Sequence, residues 1–242
     1  MRSLPELSAL ARRARLAIDM SGTPSPAPAN GSAVGWFRIT ADAGDRAQVY
    51  VYDTIGWDVT AGDFIKELSQ ITAPTIDLRV NSEGGFVWDG IDIYSALKGH
   101  PSRVEALVTG IAASAASVVV MAADHIAIEQ AGRMMIHRSA GMAWGNMNDL
   151  RSLADVLEGI DQSAAEIYQA RAGGTESAWL DAMNATTWYA GQKAVDAHLA
   201  DAVIGNKTAP PPGAPADEPA APQDRASQMI RARARARLQR KG

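Results

Sequence analysis

The sequence predicts an α/β fold, on three observations. Short apolar segments with strict alternation, such as T-I-D-L-R-V with Ile76, Leu78 and Val80, read as strands. Between them lie stretches with apolar residues at three-four spacing, which read as helices. The connections have the length that parallel strand-helix-strand crossovers need, which places the strands in one largely parallel sheet.

Folded sequence begins near Trp36 with a weak strand. Val49 and Val51 alternate in A-Q-V-Y-V-Y, a first clear strand. Thr60 is an N-cap with Asp63 three residues on, and Phe64, Ile65, Leu68 and Ile71 form the apolar face of the helix that follows. After the Ile76–Val80 strand comes N-S-E-G-G, read as a turn at the strand's end, then a helix with Ile91, Tyr94 and Leu97 on one side. Val104–Val108 is the next strand, and Gly110 is expected to turn the chain into a helix. H-I-A-I and R-M-M-I-H are two more short strands. Asn148–Arg171 is a long amphipathic helix, with Leu150, Leu153, Leu157, Ile160, Ala164 and Ile167 on its apolar face, stopped by Gly173-Gly174. Thr175 caps a helix carrying Trp179, Leu180 and Met183. A last helix is expected over Gln192–Leu199, and A-V-I at Ala202–Ile204 closes the sheet.

Both ends differ in character from this middle. Residues 1–34 read as a flexible arm, with helical spacing over Leu7–Met20 before a Pro/Gly-rich linker; they are also a candidate pro-segment. Residues 35–206 form the folded domain. Residues 207–242 are a Pro/Ala-rich linker and a basic tail, R-A-R-A-R-A-R-L-Q-R-K-G, a solvated run and a candidate contact for nucleic acid or an acidic protein surface.

Composition excludes several classes. The 242 residues carry a net charge of -4, which gives no global argument for nucleic-acid binding, and no cysteine, so neither disulfides nor a thiol nucleophile are available. No apolar run spans a membrane; Val104–Ala123 comes nearest, and its Glu105, serines and alanines read as a buried strand-turn-helix. The first residues carry no secretory signal. No H-E-x-x-H or carboxylate cluster points to a metal, no cofactor motif is found, and no G-x-x-x-x-G-K-[ST] points to ATP.

The chemistry gathers around V-T-G-I-A-A-S-A-A-S-V-V-V-M, Val108–Met121. Ser114 is flanked by alanines on both sides, which lets backbone and substrate approach its hydroxyl. A serine needs a base. Of the four histidines, His100, His125, His137 and His198, His137 ends the strand R-M-M-I-H. That strand follows the Ser114 turn by one helix and one strand, so a parallel sheet returns it beside its starting point. The paired glycines of N-S-E-G-G, with the N–H of Ala115, make a plausible oxyanion site. Ser117 and Ser139 are rival nucleophiles. Ser117 falls one helical turn deeper, and Ser139 lacks the small-residue turn.

Three segments together resemble a known family. V-N-S-E-G-G-F-V-W-D-G-I-D-I-Y-S-A-L, G-I-A-A-S-A-A-S and R-M-M-I-H are similar, in order and spacing, to segments of the Clp protease proteolytic subunit, over about Val49 to Ile204. V-T-A-G-D-F-I-K-E-L and T-W-Y-A-G-Q-K-A-V resemble the phage head maturation (prohead) protease branch. The resemblance implies a ClpP/crotonase-like spiral of strand-helix units with a long handle helix. It implies a serine endopeptidase with Ser114 as nucleophile, His137 as base and then acid, and Gly85 and Ala115 as oxyanion donors. It further implies a homo-oligomeric ring acting on phage capsid or scaffold protein in the host cytoplasm, at the assembling head.

The sequence also departs from the family. Thr186 stands at the third catalytic position, two residues before Trp188, where the family has an acid; Asp181 and Asn184 are out of register. A threonine can orient an imidazole but cannot stabilise its cation as an anion does, which leaves a Ser–His dyad with water or a backbone carbonyl as orienter. Glu83 replaces a proline, and His198 stands where the family prefers glycine and reads as a surface residue. Two other classes stay open: an inactive scaffold or assembly protein that kept the fold, and a crotonase-type acyl-CoA enzyme.

Overall fold

The computed structural model describes residues 35–205, apart from 42–43 and 58. The expected helix at Leu7–Met20, both linkers and the basic tail lie outside the described residues. In chain order the elements are β1 (Phe37–Ala41), β2 (Arg46–Ile55), α1 (Ala61–Leu68), β3 (Thr75–Gly85), α2 (Val87–Lys98), β4 (Arg103–Ala113) and α3 (Ala115–Val120). Then follow β5 (His125–Glu129), β6 (Arg133–Ile136), α4 (Met147–Ala172), α5 (Glu176–Asn184), β7 (Thr187–Ala190), α6 (Gln192–Asp196) and β8 (Ala202–Ile204).

The strands form one mixed sheet in the order β1-β2-β3-β4-β5-β8, parallel from β2 onward. Its β1–β2 edge is an antiparallel hairpin, Phe37 opposite Val51. Strand β4 is long enough to serve two partners. Its first half, Glu105–Val108, pairs with β5, and its last residues, Ile111–Ala113, pair in parallel with β6. The short β7, which the sequence reading did not anticipate, runs antiparallel on β6.

The alternation read from the sequence sets which face is buried. Val49, Val51, Ile76, Leu78, Val80, Val104, Ala106 and Val108 point into the core, each worth about 1.5–3 kcal/mol when a large aliphatic is fully buried. Phe64 and Leu68 of α1, Ile93 and Leu97 of α2 and the valines of α3 cover them. The intervening residues carry polar groups. Arg46 and Gln48 of β2 both bond Asp77 of β3, and Glu105 of β4 pairs with Arg103 and His125. Parallel strands covered on both faces read as continuous apolar runs. These alternate because their second face holds a polar ladder.

Helix starts are satisfied by side chains. The Asp63 carboxylate accepts the Thr60 N–H at 3.3 Å, and buried Asp89 of α2 accepts the Ala61 N–H at 3.2 Å, so two acids meet the donors at the start of α1. Thr175 Oγ1 accepts from Ala178 N–H at 3.2 Å, as its capping role requires.

Three local expectations are corrected. The chain does not turn at Gly110; β4 continues through it to Ala113. Gly110 is needed for close approach, because a Cβ there would sit 2.3 Å from Asn81 Oδ1, which accepts the Ile111 N–H. N-S-E-G-G is not a turn after β3 but its last residues, with a register irregularity between Val80 and Ser82. Helix α6 ends at Asp196 rather than Leu199. His198 there takes φ 58°, a left-handed conformation that stops the helix and favours glycine.

Helix α4 is 26 residues long, about 39 Å at 1.5 Å per residue. Only its C-terminal half is buried, through Ile160, Asp161, Ala164, Ala165 and Tyr168. At the other end Leu150 is exposed, and so are Met147 and, just before the helix, Met142 and Trp144.

Candidate active site

Ser114 stands where β4 ends and α3 begins, with φ 53° and ψ −126°. That backbone is costly for a residue with a Cβ. It is held because the segment is pinned from both sides. Ser114 N–H donates to the Met135 carbonyl of β6 at 2.9 Å, and Ser117 N–H donates to the Ser114 carbonyl at 3.0 Å. The small residues around it are required by contact. A Cβ on Gly84 would lie 2.7 Å from both the Ala113 oxygen and the Ser114 Cβ, and one on Gly90 would lie 2.9 Å from the Ala115 Cβ.

The β4–β6 pairing brings the histidine in. Ala113 lies opposite Met135, so the residues leaving each strand emerge side by side. The His137 Nε2 and the Ser114 Oγ are 2.7 Å apart, and both side chains are half-buried. Burial pushes the imidazole below its ordinary pKa, while a hydrogen bond to the Arg138 backbone and the charge of Asp161 act against that fall. The fall favours the neutral ring, whose Nε2 can accept the serine proton when Nδ1 carries the ring hydrogen.

Both residues open onto a small cleft lined also by Gly85, Ala115, Val118, Ile160, Asp161, Ala164, Tyr168 and Met183. Gly85 ends β3 with φ 147°, and a Cβ on it would be 2.2 Å from the Ile55 oxygen, so the backbone at this wall admits no side chain. Ala115 is the first residue of α3. The two sequence-derived oxyanion candidates thus share one wall with Ser114.

The rival serines bond other groups, although Ser139 lines the same cleft. Ser117 is fully buried; its Oγ bonds the Ser114 carbonyl at 2.6 Å and lies 2.8 Å from the Tyr168 hydroxyl, whose pKa burial drives well up. Ser139 Oγ donates to the Leu157 carbonyl at 3.1 Å. Thr186 lies between α5 and β7, exposed and with φ 52°. β7 pairs with β6 up to Ile136 opposite Thr187, so one further step of the register sets Thr186 across from His137. No hydrogen bond among the described residues joins Thr186 to the imidazole; its N–H donates to the Met183 carbonyl at 3.0 Å.

Asp161 escaped the sequence reading. It is 5% exposed, its Oδ1 accepts the Ser139 N–H at 2.7 Å, and its Oδ2 lies 3.3 Å from Arg138 Nη1. The available signal was an acid on the apolar side of an amphipathic helix, one residue after Ile160. No group of His, Cys, Asp and Glu suited to a metal occurs among the described residues, and none of their helices is long and apolar enough to cross a membrane.

Known proteins share much of this sequence. The chain is 30% identical over 171 residues to ATP-dependent Clp protease proteolytic subunit 1 of Protochlamydia amoebophila, covering 67% of this chain and 82% of that protein. It is 29% identical over 136 residues to an ATP-dependent Clp protease proteolytic subunit of Bacteroides fragilis, covering 54% of this chain and 65% of the relative. It is 30% identical over 134 residues to proteolytic subunit 3 of Rhodococcus jostii, covering 54% of this chain and 66% of the relative. Residues 32–207 match the family described as Clp protease, and with a bonded serine and histidine at the carboxyl ends of two paired strands, the chain belongs to the Clp protease family.

Proposed function

We propose that the protein is a serine endopeptidase in which Ser114 and His137 act as a dyad. The observation that carries this reading is the 2.7 Å Ser114–His137 contact at a backbone-strained strand-to-helix elbow. In the proposed reaction Ser114 Oγ attacks the scissile carbonyl carbon as its proton passes to His137 Nε2. The C–O bond forms and the carbonyl electron pair moves onto oxygen, against the N–H groups of Gly85 and Ala115. Each such donor contributes about 3–4 kcal/mol to the transition state. Collapse breaks the C–N bond, His137 returns the proton to the leaving amine, and water, deprotonated by the same base, releases the acyl group.

For the substrate we infer phage capsid or scaffold protein during head maturation, cut by a homo-oligomer. Its support is the resemblance of V-T-A-G-D-F-I-K-E-L and T-W-Y-A-G-Q-K-A-V to that branch. The exposed apolar residues at the start of α4 support self-association through a handle.

A fluorophosphonate probe tests the activity. The wild-type protein is expected to be labelled and Ser114→Ala not. Absence of labelling in folded wild-type protein refutes the hydrolase and leaves the scaffold reading, which a Thr186 without a bond to the ring favours. Incubation with a capsid or scaffold precursor tests the substrate: cleavage by wild type and not by Ser114→Ala supports it, and an intact precursor beside an active peptidase refutes it.

A further inference from the structure

We propose that Asp161, on the long helix α4, is the positioning residue of the dyad: it pins the segment that follows His137 and sets a carboxylate in the cleft that the imidazole faces. This rests on the peptidase reading of Ser114 and His137. A histidine base needs an orienter and a counter-charge for the cation it forms when it takes the serine proton. The family's usual position offers only Thr186, uncharged and with no bond to the ring.

Asp161 is placed to do both tasks. It lines the same cleft as Ser114 and His137, and it is buried. The two residues after His137 are both tied. Arg138 N–H donates to the Met183 carbonyl at 3.2 Å, Ser139 N–H donates to Asp161 Oδ1 at 2.7 Å, and Ser139 Oγ donates to the Leu157 carbonyl at 3.1 Å. The ring itself bonds the Arg138 backbone, and a carboxylate accepting a backbone N–H is a strong, charge-assisted anchor, so Asp161, by holding Ser139, steadies the ring's backbone partner. Its carboxylate lines the cleft that the ring faces, where a negative charge works against the fall that burial imposes on the imidazole. Around His137, α4 contributes Asp161 and Tyr168, and the loop itself contributes Arg138. On the β4–α3 side Ser114 faces the ring, and α5 contributes Met183. Arg138 offsets part of the carboxylate's charge from 3.3 Å, but it is the more exposed partner, with 37% of its side chain in solvent against 8% for Asp161. Solvent therefore screens the arginine more than the acid.

The test is an NMR titration of the His137 ring in the full chain, assigned by His137→Gln, in wild type, Asp161→Asn and Asp161→Glu. It is run beside the rate of fluorophosphonate labelling. Asp161→Asn is expected to lower the His137 midpoint by about half a pH unit or more and to slow labelling about 10-fold. Asp161→Glu, which restores the charge, is expected to recover most of both. Asp161→Ser serves as the neutral variant if the asparagine protein does not fold. A folded neutral variant with an unmoved midpoint and an unchanged labelling rate overturns the proposal. A slowed rate with an unmoved midpoint overturns the electrostatic half of it. The titration requires no activity, so unlabelled wild-type protein would sink the peptidase reading while the midpoint still decides the role of Asp161.

Discussion

The hydroxyl of Ser114 is useful because its backbone is uncomfortable. A serine at φ 53° persists only where neighbours over-determine it, and here Gly84 and the Met135 carbonyl do so. Gly84→Ala is therefore expected to destabilise the fold by on the order of 2 kcal/mol or more, since φ 106° strains the alanine and its methyl meets the elbow backbone. Labelling of Ser114 should fall about 100-fold even where the variant folds, as a displacement of about 1 Å does at a reacting centre. Chemical denaturation and probe kinetics on one sample check both. The histidine gives a second prediction. Burial holds the His137 pKa below its ordinary 6.5, so the neutral base survives as pH falls into the usual imidazole range. Activity should be lost only below it, as pH drops through the lowered value. A pH profile of labelling with its acid limb centred at or above 6.5 would contradict this.

Among the elements, β4 and α4 position the site. Strand β4 pairs with β5 by its first half and with β6 by its second, and that change of partner lets His137 arrive beside Ser114. Helix α4 supplies Ile160, Asp161, Ala164 and Tyr168 to the cleft wall. The end of α6 carries a simpler lesson. His198 is exposed at φ 58°, where the absence of a Cβ removes a penalty of about 1–2 kcal/mol and the extra freedom of glycine in the unfolded chain returns part of it. His198→Gly is expected to stabilise the domain by about 1 kcal/mol, a rise of about 2–4 °C in Tm, with labelling unchanged. Thermal unfolding of the two proteins decides it, and a lower Tm for the glycine variant contradicts it.

At the scale of the whole molecule, α4 is longer than the domain covers. Its N-terminal part presents Met147 and Leu150, with Trp144 fully exposed just before them. A second copy is the occupant we expect there, as the proposed handle. Leu150→Glu is predicted to shift the assembly to smaller species in analytical ultracentrifugation, while the isolated fold keeps its thermal transition. Unchanged sedimentation would remove this face from the assembly.

The alternation in β2, β3 and β4, the caps at Thr60 and Thr175, the long helix and the two strand ends bearing Ser114 and His137 were all legible, because each depends on residues adjacent in the chain. Gly110 misled for the same reason: a glycine beside an apolar run looks like a turn, and only Asn81 of the neighbouring strand shows it to be a point of close approach. Thus the sequence by itself determined the strand-helix order, the buried face of the sheet and the serine and histidine to be joined. The tertiary structure alone decided that β4 changes partners, that Thr186 stays unbonded to the ring and that Asp161 lines the same cleft and holds Ser139. Local periodicity records which side of an element avoids water, whereas the meeting of distant side chains depends on register and packing between elements, which no single stretch of sequence encodes.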